Sequence, residues 1–274
     1  MAATGGDGFR MSWRIPRVLL YHNFGPAPAG GDPSGLFVEV ATFRAQLALL
    51  RGRGWRALSL GEFLATLDGA PAPRRSFLVT IDDGHESVPR DASAVLAEAG
   101  VPSVLFVPPS ALGGPITWNP AYAQERLCDR TEIAALAGTG MEIGVHGWDH
   151  TRMLGMDADQ LDLHARRALD EVHALVGYRP RCFAFPYGSH DAPARAALAD
   201  AGYAVGFAVG REHGRYAVDR ISVRGSDSPA MLLLKLSLAY RLAARFAGRT
   251  PWLRHRHKLR AVPRLLREAP RAGG

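Results

Sequence analysis

Cysteine is nearly missing from this 274-residue chain: only Cys128 and Cys182 occur. Two thiols exclude a disulfide scaffold and a four-cysteine zinc site. Long apolar runs are missing too. None reaches the ~18 residues that a membrane-spanning helix needs, and the best candidate, Met231 to Ala247, is broken by Lys235, Arg241 and Arg245. The opening stretch, Met1 to Trp13, is Gly-rich and polar and has no apolar segment followed by a small-residue cleavage site. It therefore predicts no secretory signal, with Met11 as an alternative start, and a cytoplasmic location by default. Carboxylates are in deficit: 26 Asp and Glu stand against 33 Lys and Arg, a formal charge of +7.

A basic excess spread over the whole chain would point to a polyanionic partner. Here it is local. From Arg241 to the end, ten basic residues meet Glu268 alone, so the tail carries +9 and the other 240 residues carry −2. No nucleic-acid partner is expected for so neutral a body. What the body does have is core material. With 47% hydrophobic and 22% charged residues, the chain can bury one large core and is not disordered in bulk.

Short β-type runs alternate with helix-period segments. Strands are predicted at 17–22, 77–82, 102–107, 141–146, 181–185, 203–209 and 217–223. Helices are predicted between them: one capped by Thr42, one through Val95 and Leu96, one opened by an Asp129–Glu132 capping box, a long one over about 157–176, and one over 191–200. This β-then-α rhythm implies parallel strands with helical crossovers, as in an α/β barrel or a doubly wound sheet. The domain reading is a flexible N-terminus at 1–16, a barrel at 17–228 and a basic amphipathic tail at 229–274.

Polar clusters sit at the predicted C-terminal ends of strands, where α/β folds build active sites. Thr80-Ile81-Asp82-Asp83-Gly84 closes the second strand. Adjacent carboxylates after an apolar run are costly unless one is paired or bound to metal, and strand alternation allows one to bind a cation while its neighbour stays a base. His146-Gly147-Trp148-Asp149-His150 offers two imidazoles four residues apart. In Phe185-Pro186-Tyr187-Gly188, Pro and Gly frame a tight loop whose backbone N–H groups can face a cleft. Tyr21-His22 ends the first strand.

Taken in this order, the clusters resemble those of the polysaccharide deacetylases of the NodB-homology type, carbohydrate esterase family 4. The resemblance covers about Arg17 to Val223. Thr80 to Gly84 is similar to the family's T-F-D-D-G motif, His146 and His150 match its H-x-x-x-H, and Phe183 to Gly188 matches its third motif. It implies a distorted (β/α) barrel, seven-stranded, with a basic helical C-terminal tail, and a metal-dependent N-deacetylase. Asp83, His146 and His150 would hold a divalent ion, most often Zn2+. Asp82 would be the general base, and the Tyr187 backbone N–H would complete the oxyanion site. Pro186, His85, Trp118 and Trp148 would line the substrate cleft.

Three departures from the family pattern stand out, the first being Ile81 in place of the usual aromatic of the T-F-D-D-G motif. The arginine of the third motif is replaced by Ala184, with Arg179 and Arg181 nearby. The late histidine that supplies the general acid is not recognisable; Tyr21-His22 resembles the early Y-H of the biofilm poly-N-acetylglucosamine deacetylases, which assigns the acid role to His22, with His213 and His190 behind it. The expected substrate is an N-acylated amino sugar in a glycan, glycolipid or polysaccharide precursor. The competing readings are a deacylase of small non-sugar amides and a degenerate barrel that only binds. The tail is compatible with peripheral contact to anionic lipid at the inner membrane face.

Overall fold

The computed structural model describes residues 16–210, 214–237 and 240. Its centre is a sheet of parallel strands. β1 (Arg17–Tyr21) is followed by a short side ribbon, β2 (Asn23–Phe24) with β3 (Phe37–Val38), and then by helix α1 (Val40–Gly52). β4 (Arg56–Ala57) and α2 (Leu60–Leu67) lead to β5 (Ser76–Ile81), and α3 (Ser93–Ala99) to β6 (Ser103–Val107). Then come α4 (Arg130–Ala137), β7 (Glu142–Val145), α5 (Ala158–Asp162), α6 (Ala168–Val176), β8 (Cys182–Ala184), α7 (Ala192–Asp200) and β9 (Val205–Ala208). The series ends in β10 (Val218–Asp219), β11 (Ile221–Ser222) and α8 (Pro229–Leu236).

The strand order is β10-β9-β8-β7-β6-β5-β1-β11. One residue, Arg220, separates β10 from β11, yet β10 pairs with β9 and β11 pairs with β1. A single extended segment thus joins both edges of the sheet and nearly closes it into a barrel. Counted as staves, β1, β5, β6, β7, β8, β9 and the segment 218–222 make seven. This is the distorted, seven-stranded (β/α) barrel expected from the sequence.

The barrel interior is dry at one end and polar at the other. Val18, Leu78, Val104, Phe106, Ala184 and Phe207 pack together, joined by Leu60, Phe63 and Leu64 of α2. Along β5 the same face then carries Thr80, and Asp82 follows just beyond the strand end, because side chains two apart share a face. Phe106 fills its share of this interior because its register partner is Gly144. A Cβ on Gly144 would lie 2.5 Å from the Phe106 ring and 2.8 Å from Cys182 Sγ.

Several local expectations need correction. Helix α1 begins at Val40 with Glu39 in the capping position, so Thr42 lies inside its first turn. β2, β3, β4 and α2 have no counterpart in the sequence reading, although Ser59 and Glu62 form a capping box at the start of α2. The long helix expected over 157–176 is broken by a π-helical turn, Leu163–Arg167. The Asp129–Glu132 capping box and the Asp191 cap of α7 are present.

Contacts divide the chain into two units, Met1–Leu233 and Leu234–Gly274. The predicted flexible N-terminus, up to residue 15, and the basic tail from Arg241 lie outside the described residues. Among the described residues, no helix is long and apolar enough to cross a membrane.

Candidate active site

The site grows from the end of β5. Asp82 N–H donates to Tyr21 O at 3.0 Å, which carries the β1–β5 pairing one residue past the strand. Asp83 then enters the left-handed region, with φ of 74°. This turn makes the two carboxylates diverge. Four described non-glycine residues have positive φ, and three of them, Asp83, His150 and Tyr187, belong to this site. Such conformations cost about 1–3 kcal/mol each and persist where the surroundings over-determine them, as they do at functional sites.

Asp83 meets the two histidines. His146 Nε2 lies 3.4 Å and His150 Nε2 3.2 Å from Asp83 Oδ1. One ligand atom from each of the three buried residues lies within 4.8 Å of the others. His146 Nδ1 contacts the carbonyl of Ala184 at 2.7 Å. That carbonyl can only accept, so Nδ1 carries the proton and the Nε2 lone pair points at Asp83. The plane of His150 is set by rings: Trp118 stacks on it at 4.2 Å and Tyr187 meets it edge-on at 4.6 Å. Asp83 Oδ1 is buried with no hydrogen-bond partner among the described residues. Two imidazole nitrogens converging on an unpartnered carboxylate oxygen fit a divalent cation held by one Asp and two His, a donor set suited to zinc with open positions left over.

Asp82 has a different partner. Arg220, itself 3% exposed, donates from both terminal nitrogens to the two Asp82 oxygens, each at 2.7 Å. The same guanidinium reaches Thr80 Oγ1 at 3.3 Å. Burial alone would raise the Asp82 pKa; the charge of Arg220 and its hydrogen bonds outweigh it and hold the carboxyl below its ordinary value. Arg220 is thus the arginine that grips Asp82, where the third motif carries Ala184. Arg181 instead pairs with Glu142, and Arg179 donates to Ala201 O. The signal for Arg220 was present in the sequence: a charged residue centred in the last predicted strand needs a buried carboxylate, and the Asp82–Asp83 doublet offers one.

His22 feels both carboxylates. Burial pushes its pKa down, against the pull of Asp83 and Asp82, and the net direction is downward. Its Nδ1 is buried without a hydrogen-bond partner among the described residues. Tyr187 lies half-exposed on the turn that follows β8, with the Arg152 guanidinium 3.8 Å above its ring; Pro186 beside it is buried. Trp118 and Trp148 are both partly buried, Trp118 against His150 and Trp148 in the arc between His146 and His150.

The structure does not bring every expected residue to the cleft. His85 is fully buried, with Nδ1 2.8 Å from Ser87 Oγ and Nε2 3.1 Å from Glu125. Both ring nitrogens are thus engaged, and the ring offers no free edge to a substrate. His190 contacts Arg195 at 3.0 Å and lies against Phe185. His213 lies outside the described residues.

A family profile described as polysaccharide deacetylase matches residues 69–206. The fold is similar to the Streptococcus pyogenes deacetylase PplD, solved in complex with acetate, at 17% identity, with 81% of this chain and 98% of that one covered and a TM-score of 0.71. It is similar to IcaB from Ammonifex degensii at 24% identity, with 81% and 97% covered and a TM-score of 0.68. A de-N-acetylase from Aggregatibacter actinomycetemcomitans matches at 15% identity, with 80% and 98% covered and a TM-score of 0.66. At these identities the likeness is one of fold. No curated protein sequence matches significantly.

Proposed function

The chain belongs to the polysaccharide deacetylase family, and from that premise we propose that it hydrolyses the N-acyl group of an amino sugar at a divalent-metal site. The observation that carries this reading is the division of labour between neighbouring carboxylates. Asp83 converges with two imidazole nitrogens, while Asp82, 3.7 Å from His146 Nε2 at one oxygen, is clamped at both oxygens by Arg220.

Asp83, His146 and His150 would hold the ion, and Zn2+ suits one carboxylate and two imidazoles. When bound, such an ion supplies Lewis acidity, acidifying water and polarising a carbonyl oxygen. The chain's own groups do the rest. Asp82, kept ionised by Arg220, takes a proton from the attacking water. The new C–O bond forms as charge builds on the carbonyl oxygen, towards which the Tyr187 backbone N–H would donate. His22 is assigned the transfer of a proton to the departing nitrogen, because it lies under the pull of both Asp83 and Asp82. The C–N bond then breaks to leave a free amine and a carboxylate; acetate, found with the S. pyogenes deacetylase, is the product expected here. Trp118 and Trp148 would present flat faces to the sugar rings.

The experiment is acetate release from N-acetylglucosamine oligomers and lipid-linked N-acetyl sugars, with small cyclic amides and acylated polyamines alongside. The Asp82→Asn variant should bind metal yet turn over at least ~10²-fold more slowly, and His146→Ala should lose the metal. If metal-loaded protein frees no acetate or formate from any N-acylated sugar, the reading fails; turnover of small amides alone would transfer the chemistry to that substrate class.

A further inference from the structure

Three residues separate the two histidine ligands, and one side chain touches all three. His164 is 3% exposed and lies in the π-helical turn Leu163–Arg167, between α5 and α6. Its Nδ1 accepts the Trp148 backbone N–H at 3.1 Å. Its Nε2 lies 3.7 Å from Asp149 Oδ1. Gly147, at φ of 73°, packs directly against the ring: a Cβ there would lie 3.0 Å from His164 Nδ1 and 3.5 Å from Pro186.

The hydrogen bond settles the tautomer. Nδ1 accepts, so the ring proton is on Nε2 and faces Asp149. Burial holds the imidazole pKa down against the pull of Asp149, in keeping with a neutral ring. Asp149 in turn accepts the Thr151 N–H at 2.9 Å, and Trp148 O accepts from Ser110 N–H and Oγ–H. The π turn is part of the arrangement. An extra residue in a helix rotates the side chains that follow; here the turn is tied to the barrel, Ala165 O accepting the Tyr203 hydroxyl at 2.9 Å beside the Ala168 N–H.

We propose that His164 is a positioning residue for the metal site: it holds the Gly147–Trp148–Asp149 arc that sets the direction of His146 and His150, and itself touches neither ion nor substrate. The arc must keep one ligand at the end of β7 and turn the next, His150, into the left-handed region at φ of 68°. A backbone so bent needs an outside anchor, and a buried imidazole acceptor supplies one without competing for the cation. Groups that orient metal ligands in this way typically change metal affinity by ~10–100-fold when removed. The proposal rests on reading Asp83, His146 and His150 as a metal site.

Asn and Gln variants separate positioning from mere packing. The Asn carboxamide oxygen falls near the place of Nδ1, whereas the Gln oxygen falls near that of Nε2. Zn2+ affinity of the full-length protein, measured by competition with a chromogenic chelator, should weaken ~10–100-fold in His164→Leu and His164→Gln and return close to the original value in His164→Asn. Hydrogen exchange of the Trp148 amide in metal-free protein should be slow in the parent and in His164→Asn, and fast in the other two. Should His164→Leu fail to fold, the Asn and Gln pair still decides the matter. Equal Zn2+ affinity in those two variants, or parental affinity in His164→Leu, would overturn the proposal. A parent protein that binds no divalent ion defeats the metal-site reading itself; the Trp148 exchange pattern then decides His164 alone, and equal exchange in all variants overturns it.

Discussion

Arg220 reaches across 138 positions of sequence to grip both oxygens of Asp82. The pair is the point at which barrel closure and chemistry meet. Arg220 is the single residue between the strand that pairs with β9 and the strand that pairs with β1. Its backbone therefore closes the barrel while its side chain sets the charge state of Asp82, the proposed general base.

Removing the guanidinium should damage both. Arg220→Met leaves a buried carboxylate without its partner, an expected loss of about 3–5 kcal/mol in urea unfolding. Arg220→Lys keeps a charge and loses the two-pronged fit. Its kcat should fall about 10–100-fold with KM little changed, an order of effect usual for a misplaced base. Without Arg220, burial pushes the Asp82 pKa up, so the acid limb of the pH–rate profile should move to higher pH. Adding Asp82→Asn to Arg220→Met should cost much less stability than it does alone. Parental stability and turnover in Arg220→Met would show that the clamp has no role.

The crowding around Gly144 makes a sharp stability contrast. Gly144→Ala drives a methyl group to 2.5 Å from the Phe106 ring and 2.8 Å from Cys182 Sγ, inside a filled barrel. Overpacking of this kind costs about 1–3 kcal/mol. Gly52→Ala, at the end of α1 with nothing within 4 Å, should be neutral or stabilising by up to about 1 kcal/mol. Thermal or urea unfolding of both variants checks the contrast, and equal effects would contradict it.

Both thiols should be inert in the folded protein. Burial pushes the Cys128 thiol up to about 12, with Glu132 adding to the rise, and burial also raises Cys182 well above its ordinary value. Thiolate is the reactive form, so Ellman's reagent at pH 8 should titrate neither residue natively and both after denaturation. Rapid labelling of one thiol in native protein would contradict this packing.

The +9 of the last 34 residues leads to a prediction of its own. Full-length protein should co-sediment with vesicles containing phosphatidylserine, weakening as salt rises. Protein truncated before Arg241 should not. Equal partitioning of the two would remove membrane contact from the account of where this enzyme works.

Much of the fold was legible because it rests on local rules. Apolar runs of strand length, capping residues and helix-ending glycines located β1, β5, β6, β7, β8, β9 and the helices between them. The elements missed were short. β4 has two residues, and α2 reads as one more apolar stretch until the barrel interior takes up Phe63 and Leu64. Asp82, Asp83, His146 and His150 were legible for a related reason: charged and imidazole side chains directly after apolar strands are costly unless they serve one another.

What the sequence by itself determined is the set of staves, their parallel sense and the residue types waiting at their ends. Only the tertiary structure decided which of those ends meet. The Arg220–Asp82 clamp and the His164 anchor are contacts between segments 138 and 16 residues apart. Neither follows from periodicity, because each depends on how a closing strand and a π turn aim one side chain. Tertiary structure likewise set the Asp83 turn at φ of 74°, which separates two adjacent carboxylates into one facing both histidines and one gripped by an arginine. A strand's alternation allowed that separation; the surrounding barrel, which holds a residue in a conformation it would otherwise avoid, enforced it.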